Sequence, residues 1–93
     1  MKVHFHPPFN AQLGDIVEIP LAGKGTVEDF CHQLVRYFPQ ILAFLPPGER
    51  KATSLLSYAF FAVRQREPAR ILLPLDIINE EDTLEIMPPF DGG

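Results

Sequence analysis

The sequence predicts an α+β fold in which one main helix packs on one face of a mixed sheet, in the order β-β-α-β-β-β. Three observations carry this. Residues 1–6, MKVHFH, alternate apolar and polar at the period of a half-buried strand. Residues 26–38 space their apolar side chains at helical intervals. Residues 83–89, TLEIMPP, return to strand alternation and end on two prolines.

In the first strand Met1, Val3 and Phe5 point one way, and Lys2, His4 and His6 the other. Pro7 and Pro8 end it, because proline cannot donate to a ladder. Residues 9–14 read as a loop or turn. Residues 15–20, DIVEIP, form a second strand close enough to make a hairpin with the first. Residues 21–25, LAGKG, are a loop. Thr26 then caps the helix, and Glu28 and Asp29 suit the positive end of its dipole. Val27, Phe30, Cys31, Leu34, Val35 and Phe38 form its apolar face, and Pro39 stops it.

Residues 40–45, QILAFL, fit a further short helical turn, and residues 46–54 a polar, turn-rich connection. Residues 55–63, LLSYAFFAV, are aromatic and β-rich and read as a buried strand, with a helical start as the alternative. Residues 64–69 are a turn, residues 70–74, RILLP, a short strand, and residues 75–82 a connection ending in an acidic turn. In the last strand Leu84 and Ile86 face one way. The ubiquitin-like β-grasp has this order of elements, but a fold alone does not carry a function.

The chain of 93 residues is expected to be a single domain, residues 1–93, with a flexible tail from about residue 88 to 93. Its 46% hydrophobic and 22% charged residues are globular in balance. A net charge of −4 argues against a general nucleic-acid or anionic-membrane surface, which draws on clustered Lys and Arg. It also suits docking on a basic protein surface. The single cysteine, Cys31, allows no internal disulfide. No apolar stretch follows Lys2, and the longest apolar window is about half a membrane helix. A cytoplasmic protein without a membrane segment is therefore the expectation.

Chemistry-bearing side chains are few. His4 and His6 share one strand face at a spacing that can serve a metal, but two ligands do not make a site and His32 has no reason to join them. They are expected to be exposed strand histidines, with no metal bound. Cys31 lies on the apolar helix face, as a core thiol does. Glu80, Glu81 and Asp82 read as a solvated turn, with an acidic contact for a basic partner as the alternative. Arg64, Arg66 and Arg70 form a loose basic cluster limited to salt-screened rim contacts. Tyr58, Phe60, Phe61, Leu72 and Ile86 are core and sheet residues. Those facing outward would form a partner patch if only one sheet face is covered. No nucleophile-base pair, phosphate loop or zinc spacing appears, so no catalytic apparatus of its own is expected.

The tail is the distinctive motif. Pro88 and Pro89 stiffen the exit from the last strand; Phe90, Asp91, Gly92 and Gly93 follow. Glycine carries no Cβ, so a Gly-Gly end is slim and sterically open at its carboxylate. The stretch EEDTLEIMPPFDGG resembles the end of the ubiquitin-like sulfur carriers of the MoaD/ThiS type, and most closely the small subunit of molybdopterin synthase. That family runs an acidic turn, an apolar strand, Pro-Pro, a hydrophobic residue, a variable residue and Gly-Gly. GTVEDFCHQL is similar to its first helix, and FFAVRQREPARILLPLDIINEEDTLEIMPP follows its third to fifth strands. Three features depart from the pattern. Arg64 and Gln65 stand where an Asn-Gly turn is common, the loop at 46–54 is enlarged, and Asp91 replaces a small residue.

The resemblance implies a mechanism. An E1-like adenylating enzyme would use ATP to activate the Gly93 carboxylate, beside Gly92, and a sulfur donor would convert it to a thiocarboxylate. Pro88, Pro89, Phe90 and Asp91 would contact partners. The sulfur would pass to an acceptor such as the large subunit of molybdopterin synthase, and the chain itself would hold no cofactor. Other destinations stay open: thiamine, tRNA thiolation, cysteine synthesis, a tungsten cofactor route, or conjugation to proteins. So does a β-grasp interaction domain whose tail takes no part.

Overall fold

The computed structural model describes residues 1–21, 23–64 and 71–88. Strand β1 is Lys2–Phe5 and strand β2 is Ile16–Glu18; they form an antiparallel hairpin with Val3 opposite Val17. Between them lies a single helical turn, α1, Asn10–Leu13, where the sequence predicts a loop or turn. Phe9 and Leu13, four residues apart, supply the reason. Both are buried, and the Phe9 ring meets Phe44 edge-on with centroids 4.9 Å apart. Gly14, at φ 94° and ψ 155°, adopts a positive-φ backbone that favours glycine as the chain returns to β2.

Strand β3, Lys24–Thr26, leads directly into helix α2, Val27–Tyr37. The Thr26 side chain accepts from the Asp29 amide at 3.1 Å, as its position predicts. Val27, Phe30, Cys31 and Leu34 are fully buried, and Pro39 opens a 3-10 turn, Pro39–Phe44. A second 3-10 turn, Ala52–Ser54, precedes the short helix α3, Leu55–Tyr58, and strand β4, Phe60–Val63. Of the two readings of residues 55–63, the helical start followed by a strand is what forms. Strand β5 is Ile77–Asn79 and strand β6 is Thr83–Met87.

The main sheet has the order β2-β1-β6-β4. Strand β6 runs parallel to β1 and antiparallel to β4, so the sheet is mixed and its last strand is central. Its inner face is built by alternation. Val3 and Phe5, Leu84 and Ile86, and Phe61 and Val63 are buried, and the Phe30 ring of α2 meets Phe61 at 6.3 Å. The core contains no buried polar or charged residue among the described residues. Burial pushes the Cys31 thiol up to about 12, with a smaller push from the Glu28 charge.

Three expectations fail. Residues 71–74, the described part of the predicted strand at 70–74, form no strand. Pro74 has no amide hydrogen, and the Leu73 amide donates to the Asp76 carboxylate at 2.6 Å. Only Leu72 keeps a ladder-like bond, its amide donating to the Phe61 carbonyl at 2.7 Å. The predicted connection at 75–82 instead contains β5, which pairs antiparallel with β3 inside the predicted loop at 21–25 and its neighbour Thr26. This ribbon brings the chain under the start of α2, where the Val27 and Glu28 amides donate to the Asp76 and Pro74 carbonyls at 3.0 and 2.9 Å. The first turn of α2 is thus satisfied by a distant segment as well as by Thr26. Ile71, Leu73, Leu75 and Ile77 remain exposed along the same stretch, Leu75 at 76%.

Leu84→Ala, in the centre of the core, is expected to cost about 2–5 kcal/mol of stability. Thr26→Ala is expected to cost about 1 kcal/mol. Urea unfolding monitored by circular dichroism ranks the two. Cys31 is expected to resist a thiol-alkylating reagent in the folded protein and to react fully in denaturant, as read by intact mass.

Candidate functional site

The tail motif begins where β6 ends. Strand β6 is held on both edges, and beyond the β1 ladder the His6 amide still donates to the Ile86 carbonyl at 2.9 Å. Pro88, the first residue after the strand that belongs to the motif, is half-buried. Pro89, Phe90, Asp91, Gly92 and Gly93 lie outside the described residues, as do Arg66 and Arg70.

The outer face of the sheet carries a second constellation. Alternation turns His4 of β1, Glu85 of β6 and Ala62 of β4 to this side, and the register places Glu85 opposite both His4 and Ala62. His6 follows on the same face, its ring centroid 4.5 Å from that of His4. One carboxylate oxygen, Glu85 Oε1, lies 2.9 Å from His4 Nδ1 and 2.6 Å from His6 Nε2. The other, Oε2, accepts from Arg64 Nε, and Arg64 Nη2 lies 2.7 Å from His4 Nδ1. Arg64 is therefore tied to β6 and is not a free rim charge.

Glu85 is the hub. Burial by itself raises its carboxyl, but hydrogen bonds from His6, Arg64 and His4 together with the Arg64 charge outweigh burial and hold it below the usual glutamate range. Its side chain is only 16% exposed, against 30% for His4 and 35% for His6. The strand alternation around Leu84 and Ile86 puts Glu85 on the outer face. Nothing local in the sequence puts that face beside His4, so the third member of the cluster was not legible there.

Phe60 and Met87, opposite one another in the β4–β6 register, add a half-buried apolar pair to the same face. On the acidic turn Glu80 and Glu81 are exposed, whereas Asp82 accepts from the Asn79 amide at 2.9 Å and so helps shape the turn. Among the described residues no helix is long and apolar enough to cross a membrane. Comparison with known proteins finds no match, either to a family model or to a curated sequence.

Glu85→Ala is expected to cost on the order of 1 kcal/mol, since partial exposure of Arg64 screens the ion pair, while Glu81→Ala stays within about 0.5 kcal/mol. Urea unfolding in the presence of a chelator measures both. The double variant with Arg64→Ala should lose less than the sum of the two single effects.

Proposed function

We propose that the chain is a ubiquitin-like sulfur carrier of the MoaD/ThiS type, acting most closely like the small subunit of molybdopterin synthase. The observation that carries this is the sequence PPFDGG placed directly after an apolar strand, here β6. Two features of the fold support it. The first and last strands run parallel at the centre of the sheet, and one long helix follows the first hairpin and packs on the sheet's inner face through Phe30. This arrangement is compatible with a small β-grasp.

In this reading the chain supplies a substrate terminus, and its partners supply the catalytic groups. An E1-like enzyme transfers adenylate from ATP to the Gly93 carboxylate, releasing pyrophosphate. The acyl-adenylate carries a good leaving group. A sulfur nucleophile attacks that carbonyl carbon and displaces AMP, which leaves a thiocarboxylate. The absence of a side chain at Gly92 and Gly93 keeps the path to that carbon open. Pro88 and Pro89 restrict the angle at which the tail leaves β6, and Phe90 and Asp91 offer one apolar and one charged contact to the partner.

A second reading, an interaction domain whose tail takes no part, is favoured by one observation. Ile71, Leu73, Leu75 and Ile77 expose apolar side chains in one stretch, as interaction surfaces do.

Incubation with an E1-like enzyme, ATP and a sulfide donor is expected to shift the intact mass by the exchange of one oxygen for sulfur. Deletion of Gly93 should abolish the shift and leave the circular dichroism spectrum unchanged. An unaltered mass with adenylating enzymes of the molybdopterin and thiamine branches overturns the proposal. Partner binding that survives removal of Gly92 and Gly93, without any sulfur transfer, supports the second reading.

A further inference from the structure

We propose that His4, His6 and Glu85 bind a divalent transition-metal ion of the zinc type on the outer face of the sheet. The three ligands are outside the tail motif, and the inference does not rest on the carrier chemistry. One ligand atom from each of His4, His6 and Glu85 falls within a group whose members all lie within 4.8 Å of one another, and the ring atoms turned to the Glu85 carboxylate are His4 Nδ1 and His6 Nε2. Two imidazoles and a carboxylate are a recurrent zinc donor set, and three protein ligands leave a fourth position for water. The nitrogen donors favour zinc and its neighbours over magnesium or calcium, which prefer oxygen.

The backbone sets these atoms in place before any ion arrives. His4 and Glu85 are register partners across the parallel pair of β1 and β6. His6 is tied to the same strand by its amide bond to Ile86. Ligands carried on paired strands keep their spacing better than ligands on loops. All three side chains are partly covered yet open to solvent, so an ion can enter and is partly desolvated once bound.

The protein groups alone make conflicting demands on His4. A guanidinium nitrogen can only donate, so Arg64 Nη2 at 2.7 Å requires an unprotonated Nδ1. An unprotonated Nδ1 then meets Glu85 Oε1 at 2.9 Å, lone pair against lone pair. A protonated Nδ1 satisfies Glu85 and opposes Arg64. A cation between Nδ1 and Oε1 removes the conflict on the Glu85 side, and Arg64 can turn wholly to Oε2, where its Nε already donates. In that position Arg64 orients the carboxylate from outside the ligand set. Binding uses the unprotonated nitrogen of each ring, so any proton shared between ring and carboxylate leaves to solvent.

Isothermal titration of the untagged full chain with zinc chloride is expected to show saturable one-to-one binding. His4→Ala, His6→Ala and Glu85→Gln should each weaken it by at least about tenfold, the least that even an outer-shell partner is commonly worth. A long-range nitrogen–proton correlation spectrum of the unaltered protein tests the same point without relying on variants. Zinc should shift His4 Nδ1 and His6 Nε2 and leave both His32 nitrogens in place. Absence of saturable uptake overturns the proposal, as does binding that survives all three substitutions or a zinc shift confined to His32.

Discussion

The parallel pairing of β1 with β6 is the constraint on which the rest of the structure depends. It joins the two ends of the sequence at the centre of the sheet. Parallel neighbours need a long crossover, and here the intervening chain supplies it with α2, the 3-10 turns and β4. Because β6 is central, both of its edges are satisfied, and its side chains divide strictly between two faces. Leu84 and Ile86 complete the core under α2, while Glu85 is forced outward between His4 and Ala62. A slip of one residue in this pairing would exchange the two sets and bury a carboxylate in an apolar core.

The two faces of the sheet follow different physics. The inner face is stabilised by removal of apolar surface from water, with Phe5, Phe30, Phe61, Leu84 and Ile86 all but inaccessible. On the outer face a carboxylate is largely covered, which is unfavourable unless the charge finds partners. His4, His6 and Arg64 are those partners, and they come from β1, its extension and the end of β4. The cluster therefore clamps three neighbouring segments at one point. Pro88 leaves the sheet three residues beyond Glu85, so the origin of the tail is anchored by the same strand that carries the cluster.

Much of the secondary structure was legible because its causes are local. The MKVHFH alternation, the Thr26 cap, the helical spacing of Val27, Phe30, Cys31 and Leu34, and the stop at Pro39 each act over a few residues. What escaped was set by partners far along the chain. Residues 24–26 and 77–79 are too short, and Gly25 too weak a strand former, to announce a ribbon. The apolar run at 71–73 looks like a strand, yet Asp76 takes the Leu73 amide and turns the chain toward α2. The helical turn at 10–13 needed Phe44 to bury Phe9, which a local pattern does not contain.

By itself the sequence determined which residues face the same way along β1, α2 and β6, and it placed PPFDGG after the last strand. It paired His4 with His6 and put Glu85 opposite in phase to Leu84 and Ile86. Only the tertiary structure decided that Glu85, 81 residues from His4, is its neighbour. The reason is physical. Side-chain direction repeats with the local backbone period, whereas the choice of a strand's partner follows from which apolar faces fit together over one helix.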